Sequence, residues 1–508
     1  MNLGPPSKAV LSSPTPRPTL DKLFRAAAAR RPDALALCDP PNRVAVTGGS
    51  PLRLTYARAD RIVTAIATWL RRLGLPADTV VAMQLPNTAE SVLTLLGVLR
   101  AGMIAAPIPL LWRRNDMVAP LRRIAPKVLI SCARIGTVDY ADLALQAAVE
   151  VFPVRYVAAF GSNVPDGIVP LDALLTAEHS DPPPAERSEN SAAHIALITW
   201  EATAEGFVPV ARNHMELTAG GVAAAMTARL EADSVLLSTL TPCSFAAVAL
   251  TILPWLVTGG TLMMHHPFEP ASFRAQLQDG STAAVLPAAV ISRFLEAGFF
   301  RDVPALKTVV GLWRSPERLS LSSAWCERGI SFVDVAAFGE SCLVPARRSA
   351  SGIASVLPAA PIEARPEGAE TMALLELTRS KTGTLMASGA MVPHHIFPQG
   401  AERSDLPYFK TVEGLVDTGF PCRMNPAAAS ITVTGPQPGV VSVGGYRFPL
   451  RQLNELVATI AGGGDIAVLP DALAGQRLAG SARDVHALRE ALARRGVNPL
   501  VARAFAAH

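Results

Sequence analysis

The stretch "TVVAMQLPNTAESVLTLLGVLRAGMIAAPIPL", residues 79–110, constrains this chain more than any other feature. A short apolar run stops at Pro86-Asn87, a helical pattern follows and ends at Gly102, and a second apolar run begins at once. Two strands joined through a helix cannot form an antiparallel hairpin; they make a βαβ unit, which belongs to a parallel sheet covered on both faces. Upstream, "LTYARADRIVTAIATWLRRLG" predicts an amphipathic helix. Thr55 can cap it, Ile62, Val63, Ile66, Trp69, Leu70 and Leu73 share one face, and Gly74 ends it.

The alternation continues. "RIAPKVLISCA", "SVLLSTL", "TLMMHH", "TAAVLP", "LKTVVGL" and "ISFVDVAAFG" all read as buried strands. A chain of 508 residues exceeds one core, so more than one domain is expected. "DPPPAERSENSAA" (181–193) reads as a polar, proline-rich linker, and "TGPQPG" marks a boundary near Pro436–Gly439. The expected organisation is a flexible leader over 1–20, a large domain over 21–437 and a shortened small domain over 438–508. The last contains one clear helix, "SARDVHALREALARRG".

Composition narrows the function classes. A formal charge of +4 without a dense basic block gives no reason for nucleic acid. Six cysteines without C-x-x-C spacing argue against a disulfide framework or zinc cluster and for reduced thiols, so a cytoplasmic protein is expected. From Ser234 to Phe268 there is no Asp, Glu, Lys or Arg, and "FAAVALTILPWLVTGGTLMM" matches a membrane span in length. Pro254 and Gly259-Gly260 interrupt it, however, so a buried helix, a turn and a buried strand are expected instead.

The run from Leu54 to Pro109 resembles the opening of adenylate-forming enzymes: acyl-CoA synthetases, peptide-synthetase adenylation domains and luciferases. The resemblance continues through "LPWLVTGGTLMMHHPFEPASF", "AAFGES", "VDTGF" and "GGYRFPLRQLNEL", and so covers most of the chain. It implies an α/β fold. A large N-terminal domain of parallel-rich sheets flanked by helices would hold the site, and a small α+β C-terminal domain would rotate over it. It also implies activation of a carboxylate by ATP to an acyl-adenylate, then transfer to a thiol such as coenzyme A.

Residue by residue, that chemistry is poorly supplied. The family's phosphate loop, T-S-G-T-T-G-x-P-K, uses small residues so that backbone N–H groups approach phosphate, with a lysine as point charge. Anchored on His214, the matching residues are "WEATAEGFV": Thr203 keeps its type, Ala202 and Glu205 replace glycines, and Val208 replaces lysine. A one-residue shift recovers Gly206 and Pro209 but puts Val210 at the lysine position. Glu201 and Glu205 would face phosphate with negative charge, so a plain strand-to-helix connection is expected. The adenine and magnesium motif Y-G-x-T-E becomes "FGESC": Phe338 and Gly339 match, Ser341 replaces threonine, and Cys342 stands where a hard carboxylate ligand belongs. Glu340 falls one residue early. In the ribose motif "TGFPCR", Arg423 matches but Phe420 replaces the aspartate, with Asp417 the nearest acid. Pro438 and Gly439 replace the acids of the domain hinge, and no lysine follows Lys410 to meet the reacting carboxylate.

These residues imply a degenerate member of the family. It would bind an acyl or aryl carboxylate or thioester with adenylation lost or weak, and have no resident cofactor. His214, Gly311, Trp313 and Cys342 would line the pocket, with Trp313 a candidate to fill the adenine position. Two alternatives remain. In one the chain is an active ligase using ATP, magnesium and coenzyme A through Glu340, Asp417 and an arginine; in the other it is a noncatalytic assembly or regulatory partner of another protein. His265-His266 and His394-His395 are adjacent pairs, a poor spacing for metal ligands, and no supporting acid or cysteine is expected beside them, so no metal site is expected.

Overall fold

The computed structural model describes residues 18–176, 191–354, 356–365, 370–460 and 464–505. Most of the expected leader, and residues 181–190 of the expected linker, lie outside the described residues; Ser191–Ala193 form a short 3-10 turn rather than linker.

The βαβ reading holds. The strands Val80–Met83 and Ile104–Pro107 pair in parallel with Val80 opposite Ile104, joined by the helix Ala89–Arg100. They form the middle of a seven-stranded sheet, running from Gly206–Asn213 at one edge to Val169–Pro170 at the other. The helix Tyr56–Arg72 packs along Ala89–Arg100; Thr55 accepts the Arg58 N–H at 3.2 Å, and Ile62, Val63, Ile66 and Leu70 are buried. Of the other apolar runs, Val128–Cys132 joins the seven-stranded sheet beside Val80–Met83, and the rest lie in a second sheet of eight strands, its parallel centre comprising Val235–Ser238, Thr261–Met264, Ala283–Pro287, Thr308–Trp313 and Ser331–Phe338. Both sheets share one apolar core, into which the uncharged stretch folds as helices Phe245–Leu250 and Ile252–Thr258, a left-handed Gly259 and the strand Thr261–Met264. Among the described residues no helix is long and apolar enough to cross a membrane.

A six-stranded antiparallel sheet follows, containing Thr384–Ser388 and Val416–Asn425. The smaller C-terminal domain has its own four-stranded sheet, starting at Val440–Val443, and its own core around Val457, Leu488, Leu492 and Phe505. Asp484 caps its helix Val485–Arg495 and Gly496 ends it at φ 71°.

Candidate functional site

The segment at the phosphate-loop position is a β-hairpin, not the expected strand-to-helix connection. Strands Ile195–Thr203 and Gly206–Asn213 pair from Ile195 opposite Asn213 to Thr203 opposite Gly206, leaving Ala204 and Glu205 as the entire turn. Both strands are buried almost throughout, and Trp200 and Phe207 both pack on Trp112, with ring centroids 5.5 and 4.8 Å away. Thr203 spends its hydroxyl on the Gly206 carbonyl at 2.9 Å. Gly206 takes φ +140°, and a Cβ there would collide with the Gln452 amide, which itself donates to the Glu205 carbonyl at 3.0 Å. The hairpin tip is thus held by the small domain.

Behind the tip sits an ion pair that sequence reading missed. Glu201 is buried in the first strand; one carboxylate oxygen accepts from Arg447 and the other from the Glu340 backbone N–H. Arg447 comes from Tyr446–Pro449, the second strand of the small domain's first hairpin, and also donates to Gln437. Its guanidinium lies 5.7 Å from the centroid of Phe420, which meets Phe338 edge-on at 5.4 Å. Gly339 sits at φ +57°, and a side chain there would overlap both Glu201 and Arg447. One signal did point to this pair: an acid inside the apolar run "ALITWEAT" needs a partner when the run is buried.

The remaining residues of the "FGESC" motif face inward. Burial raises the Glu340 carboxyl above its ordinary value, against the pull of Arg314, and the group accepts the Phe245 N–H at 2.7 Å, at the start of helix Phe245–Leu250. The Ser341 carbonyl accepts from Arg212 at 2.9 Å, and Arg212 also bonds the Glu340 carbonyl while lying 3.8 Å over the Phe245 ring. Cys342 is fully buried, and burial pushes its thiol up to about 12.

Other sequence candidates disperse. Asp417 is exposed and accepts from Thr384 and the Gly419 N–H, each at 2.9 Å; Arg423 is exposed further along the same strand. Trp313 is buried and gives its indole N–H to Asp334 at 2.9 Å, and Asp334 is held by Arg348 in turn. A Cβ at Gly311 would come 2.6 Å from the Phe332 ring, so that glycine serves strand packing. His214 is buried at the first position of helix His214–Ala228, where its Nδ1 accepts the Leu20 N–H at 3.2 Å. The four expected pocket residues do not converge through the contacts they make.

The expectation of no acid near the histidine pairs is corrected for one of them. Glu216, buried in the first turn of that same helix, pairs with His394, and its carboxylate and both imidazoles of His394-His395 lie with ligand atoms within 4.8 Å of one another. The acid is 178 residues away in sequence, out of reach of spacing arguments.

The small domain is docked elsewhere along the cleft. Arg318 donates to the Ala472 and Leu473 carbonyls at 2.6 and 3.3 Å, Ser315 meets Ser442 at 3.2 Å, and the Asn115 N–H reaches the Gly496 carbonyl at 2.8 Å.

A large α/β body with parallel sheets and a smaller C-terminal domain over its cleft is the architecture of the adenylate-forming superfamily. The AMP-binding enzyme family model matches residues 24–335, more than half of the chain, and the chain belongs to that family. A salicyl-AMP ligase / salicyl-S-ArCP synthetase of Mycobacterium tuberculosis (strain ATCC 25618 / H37Rv) is 27% identical over 274 residues, covering 53% of this chain and 46% of that protein. The bassianolide nonribosomal cyclodepsipeptide synthetase of Beauveria bassiana is 33% identical over 102 residues, 20% of this chain and 3% of the synthetase. The chain thus spans less than half the length of either relative. Among solved structures, the amide bond synthetase McbA from Marinactinospora thermotolerans aligns with a TM-score of 0.72 at 15% identity, over 95% of this chain and 94% of that one. The apo structure of MbtA from Mycobacterium smegmatis gives 0.66 at 21% identity, over 95% and 89%. At these identities the structures establish the fold alone.

Proposed function

We propose that this chain is a non-adenylating member of the AMP-binding family, its nucleotide cleft filled by its own side chains. The observation that carries this reading is the buried pair of Glu201 and Arg447. A nucleotide admitted there would have to displace Arg447 and then set its phosphate oxygens against the Glu201 carboxylate without that neutralising charge. The residues present do not fit magnesium triphosphate. The two-residue turn offers no row of free N–H groups, Thr203 and Glu340 are committed to backbone partners, and Cys342 is a soft, protonated group where magnesium needs hard oxygen. Phe420 cannot accept hydrogen bonds from a ribose, so no step is routed through ATP.

What this fold still offers is recognition of an acyl or aryl carboxylate or its thioester. A second reading, a noncatalytic assembly or regulatory partner, is favoured by the closed packing of Phe420 on Phe338 beneath Arg447. We set the domain boundary between Gln437 and Pro438, at the residue whose amide holds Arg447.

Calorimetry with Mg-ATP is the deciding experiment. No binding is expected up to about millimolar nucleotide, and a micromolar dissociation constant would sink the reading. Pyrophosphate exchange over a panel of aliphatic and aryl acids should stay at the blank; exchange that depends on one acid would instead favour the ligase with atypical residues. The mycobacterial relative's name makes aryl acids the first to try. A thermal shift with an acid or its coenzyme A thioester would separate the carboxylate binder from the noncatalytic partner.

A further inference from the structure

At the other end of the phosphate-position hairpin the chain assembles a different kind of cluster. Glu216 is the third residue of helix His214–Ala228 and closes a capping box with Asn213: its Oε2 accepts the Asn213 N–H and its own N–H donates to Asn213 Oδ1, both at 2.9 Å. The remaining carboxylate oxygen, Oε1, accepts the His394 backbone N–H at 3.2 Å and pairs with His394 Nδ1. His395 forms an isolated antiparallel bridge with Ala211, which fixes the segment against the hairpin edge. The two imidazoles lie side by side, centroids 4.3 Å apart and planes 31° apart.

The hydrogen bonds assign the state of His395. Asn213 has given its oxygen to the Glu216 N–H, so it can only donate its amide N–H toward His395 Nε2, 3.2 Å away. Nε2 therefore carries a lone pair, and His395 is held as neutral imidazole, the form that binds metals. One buried carboxylate oxygen and two imidazole nitrogens lie within 4.8 Å of one another, and small shifts, Glu216 and His394 parting from direct contact, bring them to the ~3.3 Å separations around a tetrahedral ion.

We propose that Glu216, His394 and His395 form a site for a divalent transition-metal ion of the zinc class. The site lies away from the Glu201–Arg447 pair: Asn213 is five residues along the strand from Val208, the cross-strand partner of Glu201, or roughly 16 Å. The donor set, two histidines and one carboxylate, selects zinc, cobalt or iron over magnesium or calcium and leaves a fourth position for water. The ion takes the place of the proton that His394 Nδ1 shares with Glu216, and takes over the Nε2 lone pair now facing Asn213. Binding therefore releases a proton from any His394 that is charged, and affinity rises with pH. The charged groups around the site are Glu216, the buried guanidinium of Arg212 that interacts with its carboxylate, His194 and, beside His194 at 4.0 Å, Asp78.

The test uses the full chain without a histidine tag, stripped with chelator and titrated with zinc chloride by calorimetry, then with cobalt chloride by visible absorption. One ion per chain is expected, with the intense visible bands of four-coordinate cobalt. His394→Asn and His395→Asn should each weaken zinc by about tenfold or more, and the double variant should abolish binding. His486→Asn, on an exposed surface helix, should leave it unchanged. Glu216→Gln keeps an acceptor for the capping box and tests the carboxylate; if that variant fails to fold, the two histidine variants decide alone. No binding at about 100 µM zinc, or binding that survives the double histidine variant, overturns the proposal.

Discussion

Two buried glutamates flank one hairpin, and their partners differ. Glu201, in the first strand, is neutralised by Arg447, a planar guanidinium that arrives from the small domain. Glu216, just past the second strand, is met by His394, a half-exposed imidazole that can release its proton to water or yield its place to a metal ion. The first arrangement locks a cleft; the second leaves a group that can exchange. The same residue type, a few residues apart across one ladder, thus serves closure at one end and accessibility at the other, and what decides is the partner delivered by the fold.

Breaking the lock should have the largest effect. Arg447→Ala leaves Glu201 buried without its cation and is expected to cost about 3–5 kcal/mol in urea denaturation. Replacing the pair together, Glu201→Leu with Arg447→Met, should recover most of that loss. A double variant as unstable as the single one would mean that the ion pair is not what holds the cleft.

At the other glutamate, Glu216→Ala removes the acceptor of two backbone N–H groups, those of Asn213 and His394. It is expected to cost about 1–3 kcal/mol by the same assay. A smaller effect follows from pH. The hydrogen bond to Glu216 raises His394 above its usual 6.5, so its contribution is complete below that value and is lost as pH rises through the raised one. Because the side chain is about half exposed, screening keeps this contribution below about 1 kcal/mol. Melting temperatures of the parent and His394→Asn, measured in chelator, should therefore differ at mildly acidic pH and converge at alkaline pH. Last, Gln452→Ala removes only an exposed bond to the hairpin tip and should change stability by no more than about 0.5 kcal/mol. A loss comparable to that of Arg447→Ala would shift the lock from the buried pair to the tip.

Much of the fold was legible before any coordinates. The run from Val80 to Pro107 encodes strand, helix and strand in its own periodicity, and Thr55 and Gly74 mark helix ends by chemistry that acts within four residues. The residue types at Ala202, Glu205, Val208, Cys342 and Phe420, on which the expected departure from the family motifs rests, were equally visible, since a motif is a local pattern. The partners were not. Glu201 meets Arg447 across 246 residues, and Glu216 meets the His394 backbone across 178. Of the expected pocket residues, His214 bonds the Leu20 N–H, Trp313 bonds Asp334, and Gly311 packs under Phe332, contacts that no spacing rule names.

By itself, then, the sequence determined which segments are strands and helices, and which groups of the family's motifs the chain is expected to lack, because both follow from side-chain type and short-range period. Only the tertiary structure decided what stands in place of those groups. A buried charge is compensated by whatever the folded chain brings within a few ångströms, and that distance is set by packing rather than by position along the chain.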